Sequence, residues 1–121
     1  MKRIIYSFLY LLILFLISKF VFDPANLYYE LLWLDVPMHI LGGIGVASLT
    51  NTILIYNKRN VSYFRIFIAY AVIAIGWEFY EYFFSPTFVH AAYSWLDTFS
   101  DFINGLIGAS VLYIIVRSKN K

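Results

Sequence analysis

The feature that most constrains this chain is the length of its apolar runs. Four runs are nearly free of charged residues, and each is close to the roughly 20 residues that a helix needs to cross the hydrocarbon core of a bilayer. The composition agrees, because 62% of the 121 residues are hydrophobic, only 13% are charged, and the mean hydropathy is +0.75. Soluble domains are about 25% charged. The sequence therefore predicts an all-α, polytopic membrane protein.

The membrane spans are predicted at residues 4–22, 36–56, 62–84 and 97–116, in a single domain covering residues 1–121. After the first span, Asp23 and Pro24 form a typical helix start, with Asp as the cap and Pro at the first helical position. Residues 24–34 also carry amphipathic aromatic side chains, so we expect a short helix lying in the membrane interface. A cleaved signal peptide is the competing interpretation of the first run, but that run lacks a small-residue cleavage site.

Small residues are concentrated in the last three spans, where they allow helices in lipid to approach closely. We therefore expect close helix packing at these positions: Gly42, Gly43, Gly45, Ala47 and Ser48 in the second span, Ala69, Ala71, Ala74 and Gly76 in the third, and Gly105 and Ala109 in the fourth.

The charged residues are sorted by side of the membrane. With four spans, eight of the nine basic residues fall on one side, and Lys19 is the exception. Since basic loops are retained in the cytoplasm, both termini are predicted to be cytoplasmic, with the protein in the cell membrane. All seven acidic residues fall on the outer side or in the outer half of a span. The chain has no Cys, which excludes thiolate metal sites, and nothing in it indicates a nucleic-acid partner.

Ionisable side chains recur at one depth on three of the spans. A rise of about 1.5 Å per residue places them within roughly 10 Å of the outer helix ends. A charge near the membrane centre costs at least about 2.5–3.5 kcal/mol, so several at one level indicate a shared site. We expect an acidic pocket, open to the outside and walled by the second, third and fourth spans. Its candidate residues are Asp35, His39, Glu78, Glu81, Asp97, Asp101 and Asn104.

These residues also have structural explanations. Asp35 and Asp97 stand where helix N-caps are expected. His39 fits a helix-to-helix hydrogen bond as well as an imidazole oriented by Asp35. Glu78 and Glu81 are different, because they lie inside an apolar helix with neither a cap nor a basic partner to explain them, and we interpret them as functional.

The motifs together resemble a known superfamily. They are Asp35-x-x-x-His39-x-x-Gly42-Gly43, Glu78-x-x-Glu81 and Asp97-Thr98-x-x-Asp101-x-x-Asn104-x-x-x-Gly108-Ala109. This pattern is similar to that of the VanZ-like superfamily, and most closely to its YjdF-like relatives, which are uncharacterised small membrane proteins. VanZ-like proteins often carry Glu-x-x-Gln and a following arginine in the third span, and their absence here favours the YjdF-like branch. The resemblance implies a multi-span membrane protein and supplies no reaction.

Charge balance leads to the first functional hypothesis. Up to five carboxylates and one imidazole cannot all be ionised in one pocket without a counter-cation. An oxygen-rich site with one His suits Mg²⁺, Mn²⁺, Ca²⁺ or Zn²⁺, and such a metal would bind and polarise a phosphate of a lipid-linked cell-envelope precursor. The predicted metal ligands are Glu78, Glu81, Asp97, Asp101 and His39. The predicted acid/base groups are His39, Glu78 and Asp101. The predicted substrate contacts are Asn104 and Asp35, and Asp35 would also orient His39.

Three alternatives stay open. In the first, a non-enzymatic accessory protein binds a lipid or a cationic amphiphile with its acids and no metal. A proton or cation pathway is disfavoured, because nothing ionisable continues inward from the outer half of the spans. A structural hydrogen-bond network is the third. The sequence leaves open whether the protein is an enzyme, its oligomeric state, and whether the three polar faces converge.

Overall fold

The computed structural model describes residues 1–84 and 95–119, and every regular element in this part of the chain is helical. Four of the helices are long and apolar enough to cross a membrane. The predicted all-α class with four spans is therefore confirmed. The helices are α1 (Lys2–Ile17, continued by a π-helical turn at Ser18–Phe22), α2 (Leu27–Glu30, followed by a 3₁₀ turn at Leu32–Leu34), α3 (Asp35–Tyr56), α4 (Tyr63–Phe84) and α5 (Trp95–Lys119).

The connection between α1 and α3 contains a shorter helix than the one expected at residues 24–34. The Asp23 carboxylate accepts a 2.8 Å hydrogen bond from Lys19 Nζ, one turn earlier, and so is not used to cap a new helix. Asn26 then adopts a left-handed conformation with φ 54°, which interrupts the helical path. Helix therefore resumes only at Leu27, and it breaks again at Leu31, where φ is −117°.

Helices α3 and α5 make the closest contact in the bundle. A Cβ atom added to Gly43 would overlap the backbone carbonyl of Gly105, and one added to Gly108 would overlap the carbonyl of Ile40. Small residues therefore bring these two backbones together, as expected for helices packed in lipid. The same expectation is wrong for Gly42 in α3 and for Gly76 in α4, because a Cβ at either position would meet nothing within 4 Å. Gly76 lies on a helix face turned away from the bundle.

Hydrogen bonds fix α1 against α3 in an antiparallel arrangement. The hydroxyls of Ser7 and Ser48 are 2.8 Å apart, and Tyr10 Oη donates to the backbone carbonyl of Leu41 at 3.0 Å. Later residues of α1 therefore contact earlier residues of α3, so the two helices run in opposite directions. The end of α1 thus lies at the same end of the bundle as the start of α3.

Helix α4 is likewise antiparallel to α5. The hydroxyls of Tyr63 and Ser110 are 2.9 Å apart at one end, and Tyr70 Oη donates to the backbone carbonyl of Phe102 at 2.7 Å further along. The end of α4 is consequently beside the start of α5. The starts of α3 and α5 and the ends of α1 and α4 share one end of the bundle. Five acidic residues are on these segments: Asp35, Glu78, Glu81, Asp97 and Asp101.

Most of the large apolar side chains remain exposed on the outside of the bundle. Phe20, Phe64 and Phe84 are each 70% exposed, whereas the few core residues, such as Ala47 and Ile66, are almost completely buried. An apolar surface of this extent is not stable in water, but it suits helices surrounded by lipid. The structure therefore agrees with the membrane-protein class that the composition predicts.

Candidate functional site

One imidazole nitrogen lies between carboxylates from two helices. His39 Nε2 is 3.3 Å from Asp35 Oδ1, on the same helix, and 3.4 Å from Asp101 Oδ2, on α5. The His39 and Asp101 side chains are only 16% and 8% exposed, while that of Asp35 is 34% exposed. One imidazole nitrogen and two carboxylate oxygens, all of types that can bind a metal ion, therefore converge where α3 and α5 begin.

A second group of acids lies on the other side of Asp101. Carboxylate oxygens of Glu78, Glu81 and Asp101 lie within 4.8 Å of one another, and so do the ligand atoms of Asp35, His39 and Asp101. Asp101 is common to the two groups, and its side chain joins α3 to α4. The structure thus brings together five of the residues that the sequence predicted for the site.

The spacing of these residues explains how three separate helices present them together. Asp35 and His39 are four residues apart and Glu78 and Glu81 three apart, so each pair shares one helix face. Gly43 and Gly105 follow His39 and Asp101 by four residues each. The close backbone contact between the two glycines therefore lies one helical turn below the His39–Asp101 pair and sets its distance.

The charges in this site are not balanced within it. Two carboxylates at 4.8 Å repel each other by about 3.5 kcal/mol at an effective dielectric constant of about 20. Three carboxylates lie within 4.8 Å of one another and a fourth lies beside His39, so the site is strained if all four are ionised. A cation brought into the site, or a proton on one of the carboxylates, would relieve the repulsion.

Tyr70 closes the site on the side of the membrane centre. It is only 4% exposed, and its hydroxyl donates to the Phe102 carbonyl. Its ring also packs against the Phe102 ring at 5.4 Å between centroids. Phe102 directly follows Asp101 in α5, so Tyr70 lies beside the site. The site is therefore bounded below by a well-packed aromatic side chain.

An aromatic wall, formed by Phe15, Trp77 and Tyr80, lies beside the glutamates. The Phe15 ring centroid in α1 is 6.0 Å from that of Trp77 and 6.1 Å from that of Tyr80, and the latter two are 5.3 Å apart. Trp77 and Tyr80 directly precede Glu78 and Glu81 in α4. The wall thus connects α1 to the helix that carries the acidic pair.

The outer rim of the site is formed by the turn after α1 and by α2. Lys19 Nζ lies 5.5 Å from the centroid of the Tyr80 ring, and the Ser18 and Tyr28 hydroxyls are 2.7 Å apart. Burial raises the pKa of Tyr28 to about 12; the Ser18 hydrogen bond opposes this rise, and the nearby carboxylates, including Asp35, add to it. Tyr28 therefore keeps its proton at neutral pH and remains a hydrogen-bond donor at the rim.

Two predicted site residues stand apart from both groups. The Asn104 amide donates a 3.4 Å hydrogen bond to Ser100 on its own helix. Asp97 is exposed one turn before Asp101, and it interacts electrostatically with Glu78. Neither belongs to the two groups of clustered ligand atoms found among residues 1–84 and 95–119. Their roles as a substrate contact and a metal ligand stay predictions.

The structure also places three residues at the site that the sequence analysis did not assign to it. Lys19 carried a signal, because it was the one basic residue on the acidic side of the predicted topology. Tyr28 and Tyr70 carried none, because a chain with 11 tyrosines offers no local reason to select these two. Only packing distinguishes them.

Comparison with known proteins gives one match. A family model described as "Predicted membrane protein (DUF2238)" matches residues 3–121, nearly the whole chain. No curated protein and no solved structure matches the chain. The family description agrees with the membrane class and does not mention VanZ-like or YjdF-like proteins, so that finer resemblance stays a prediction.

Proposed function

The chain belongs to the DUF2238 family of predicted membrane proteins, and we propose that it binds a divalent cation between α3, α4 and α5 and, through it, the phosphate of a lipid headgroup. The observation that carries the proposal is the position of Asp101. The Asp101 carboxylate belongs both to the group with Asp35 and His39 and to the group with Glu78 and Glu81. Helix packing alone does not require so many potential metal-binding atoms so close together.

The chemistry of the two groups suits different cations. Asp35, His39 and Asp101 combine two oxygen ligands with one nitrogen ligand, a set that Mn²⁺ and Zn²⁺ accept. Glu78, Glu81 and Asp101 offer oxygen only, which Mg²⁺ and Ca²⁺ prefer. We therefore keep all four metals as candidates. A cation at either group would offset the repulsion among the carboxylates.

The surroundings of the site favour a lipid as the ligand. The helices around it expose apolar side chains over most of their length, so lipid surrounds the helices that carry the site. A divalent cation attracts and polarises phosphate oxygen. We extend the proposal to processing of the headgroup, in which His39, Glu78 and Asp101 would transfer protons and Asp35 would orient the imidazole.

We also propose that the site faces the outside of the cell membrane, with both termini in the cytoplasm. The support is the distribution of charge, since seven of the eight basic residues in the described part of the chain lie toward the opposite end of the helices. In this orientation the ligand would be a lipid of the outer leaflet. A lipid-linked precursor of the cell envelope has the required phosphate chemistry.

A second candidate function is direct binding of a cationic amphiphile without metal. The aromatic wall supports it, because the faces of Trp and Tyr attract cations and two of the three rings adjoin the glutamates. In this case the carboxylates themselves would hold the positive group. The two functions differ in their response to chelation.

Metal content of the purified protein tests the first function. The wild type is stripped with EDTA in detergent, reloaded with each of the four metals in turn, dialysed and measured by mass spectrometry. We expect stoichiometric binding of at least one metal. Asp101→Asn should lower the affinity by about 100-fold or more, since losing a residue that merely supports a ligand already costs about 10–100-fold. Glu30→Gln is the matched control, because Glu30 is an exposed acid in α2, outside both groups.

The outcomes separate the two functions. A wild type that binds none of the four metals, or an Asp101→Asn protein that is folded and binds metal like the wild type, would refute the metal proposal. Binding of an alkyltrimethylammonium detergent that is insensitive to EDTA, but lost in Glu78→Gln, would establish the second function instead. Thermal unfolding of each variant identifies those that simply fail to fold.

A further inference from the structure

We infer that Lys19 binds the same phosphate from the outer side of the site, so that the ligand is an anionic headgroup held between a metal ion and an ammonium group. This inference rests on the proposed function and adds its substrate class. It assigns a binding role to a residue outside both groups of candidate metal ligands.

The first argument is the placement of positive charge. Within residues 1–84 and 95–119, Lys19 is the one Lys or Arg at the acidic end of the bundle. The others lie at or near the opposite helix ends: Lys2, Arg3, Lys58, Arg59, Arg65, Arg117 and Lys119. A phosphate bound to one divalent cation in this acidic site would remain close to several carboxylates. A second cation on its open side offsets that repulsion, and Lys19 is the residue that can provide it.

The second argument is the geometry of Lys19. Its side chain is 24% exposed and is held in place by the 2.8 Å contact with Asp23 Oδ2 and by the face of Tyr80. It also interacts electrostatically with Glu81, a member of the acidic group. An ammonium group has three N–H donors. Asp23 accepts one and the Tyr80 ring faces another, which leaves donor capacity for a ligand oxygen.

The third argument is the local backbone. Lys19 lies in the π-helical turn Ser18–Phe22, where the chain leaves the regular path of α1. Such turns are uncommon and are found frequently at functional sites. A lysine that only reaches toward water from a helix end needs no such turn. Lys19 instead lies over the ring of Tyr80 in α4, which also packs against Phe15 in α1.

The test measures binding of dihexanoyl phosphatidic acid to the detergent-purified, metal-loaded protein by isothermal titration calorimetry. Lys19→Gln should weaken binding by about tenfold or more, because a hydrogen bond to a charged group is lost. Lys19→Arg should retain most of it. Lys2→Gln is the control, since Lys2 is an exposed cation at the opposite end. Metal affinity should not fall in Lys19→Gln, because removing a nearby positive charge favours a bound cation.

Asp23→Asn distinguishes ligand binding from a structural ion pair. If Lys19 binds the ligand, removing the competing carboxylate should tighten phosphatidic acid binding, opposite in sign to Lys19→Gln. If the Lys19–Asp23 pair only supports the fold, both variants should lose binding and thermal stability together, and the inference is wrong. Unchanged or tighter binding of phosphatidic acid by a folded Lys19→Gln protein would also overturn it, since the ammonium group would then not hold the phosphate.

Further arms identify the source of the phosphate and separate the two proposals. If inorganic phosphate binds with the same affinity and displaces phosphatidic acid, the Lys19 contact is supported with free phosphate as the ligand. If inorganic phosphate does not displace phosphatidic acid, the contact is supported with a lipid as the ligand. A metal-loaded wild type that binds neither refutes the Lys19 inference and leaves the metal site standing. A wild type that binds no metal, but binds phosphatidic acid in a Lys19-dependent way, refutes the proposed metal site and the metal side of this arrangement, and leaves only the Lys19–phosphate contact standing.

Discussion

Substitution of Gly43 by Ala tests the contact on which the site geometry depends. A Cβ at Gly43 would lie 2.6 Å from the carbonyl carbon and 2.9 Å from the Cα of Gly105. Carbon atoms in contact are about 3.5–4.0 Å apart, so α3 and α5 would have to separate by about 1 Å. Over-packing of this kind costs about 1–3 kcal/mol.

The neighbouring residue provides a matched control. Replacing Gly by Ala inside a helix gains about 1 kcal/mol in helix propensity, and this gain is common to Gly43→Ala and Gly42→Ala. A Cβ at Gly42 meets nothing within 4 Å. The difference between the two variants therefore isolates the packing effect, and we expect Gly43→Ala to be less stable than Gly42→Ala by about 1–3 kcal/mol.

The assay is equilibrium unfolding of the purified protein in mixed micelles with increasing SDS, followed by tryptophan fluorescence. A second measurement is metal affinity, because His39 and Asp101 lie one turn from the glycine contact. If α3 and α5 move apart by about 1 Å, the distance between His39 Nε2 and Asp101 Oδ2 increases from 3.4 Å to beyond ion-pair distance. Equal stability of the two variants would show that the backbones are not in contact at Gly43, and the reasoning from that contact would fail.

Two further predictions concern the floor of the site and the topology. Tyr70→Phe should destabilise the protein by about 0.5–1.5 kcal/mol in the same SDS titration, because the 2.7 Å hydrogen bond to the Phe102 carbonyl is lost. Tyr56 is exposed, so the control variant Tyr56→Phe should have the stability of the wild type. Equal unfolding midpoints for the two variants would count against the Tyr70 hydrogen bond. The chain has no Cys, so a single introduced cysteine is the only thiol that a maleimide can label. In intact cells, an impermeant maleimide should react with Ala25→Cys, whereas Asn60→Cys should react only after permeabilisation. The reverse pattern would overturn the predicted orientation.

Side-chain spacing determined part of the site before any packing was known. Residues four apart share a helix face whatever surrounds the helix, so Asp35 pairs with His39, and Asp97 lies one turn from Asp101. Spacing does not determine which way a face turns once helices pack. Asn104, three residues after Asp101, is bonded to Ser100 on its own helix, whereas Asp101 faces α3 and α4.

The glycines show the same division between local pattern and packing. Gly43 and Gly76 look alike in the sequence, since each is a small residue in an apolar span. One lies in the closest helix contact of the bundle and the other faces open space, because helix rotation is set by the sum of contacts along both helices. The short connection after α1 also depended on tertiary structure, since Lys19 takes the carboxylate that was expected to cap a helix.

The sequence was enough to predict a four-span helical membrane protein with its acids at one end. It could do so because bilayer thickness sets the length of an apolar run and because each buried charge costs several kcal/mol, about 2.5–3.5 at the membrane centre. Helix packing was needed to show that Asp101 joins three helices, that Tyr70 closes the site and that Lys19 lies at its rim. These are contacts between residues far apart in the chain, and no local pattern specifies the rotation and offset of one helix against another.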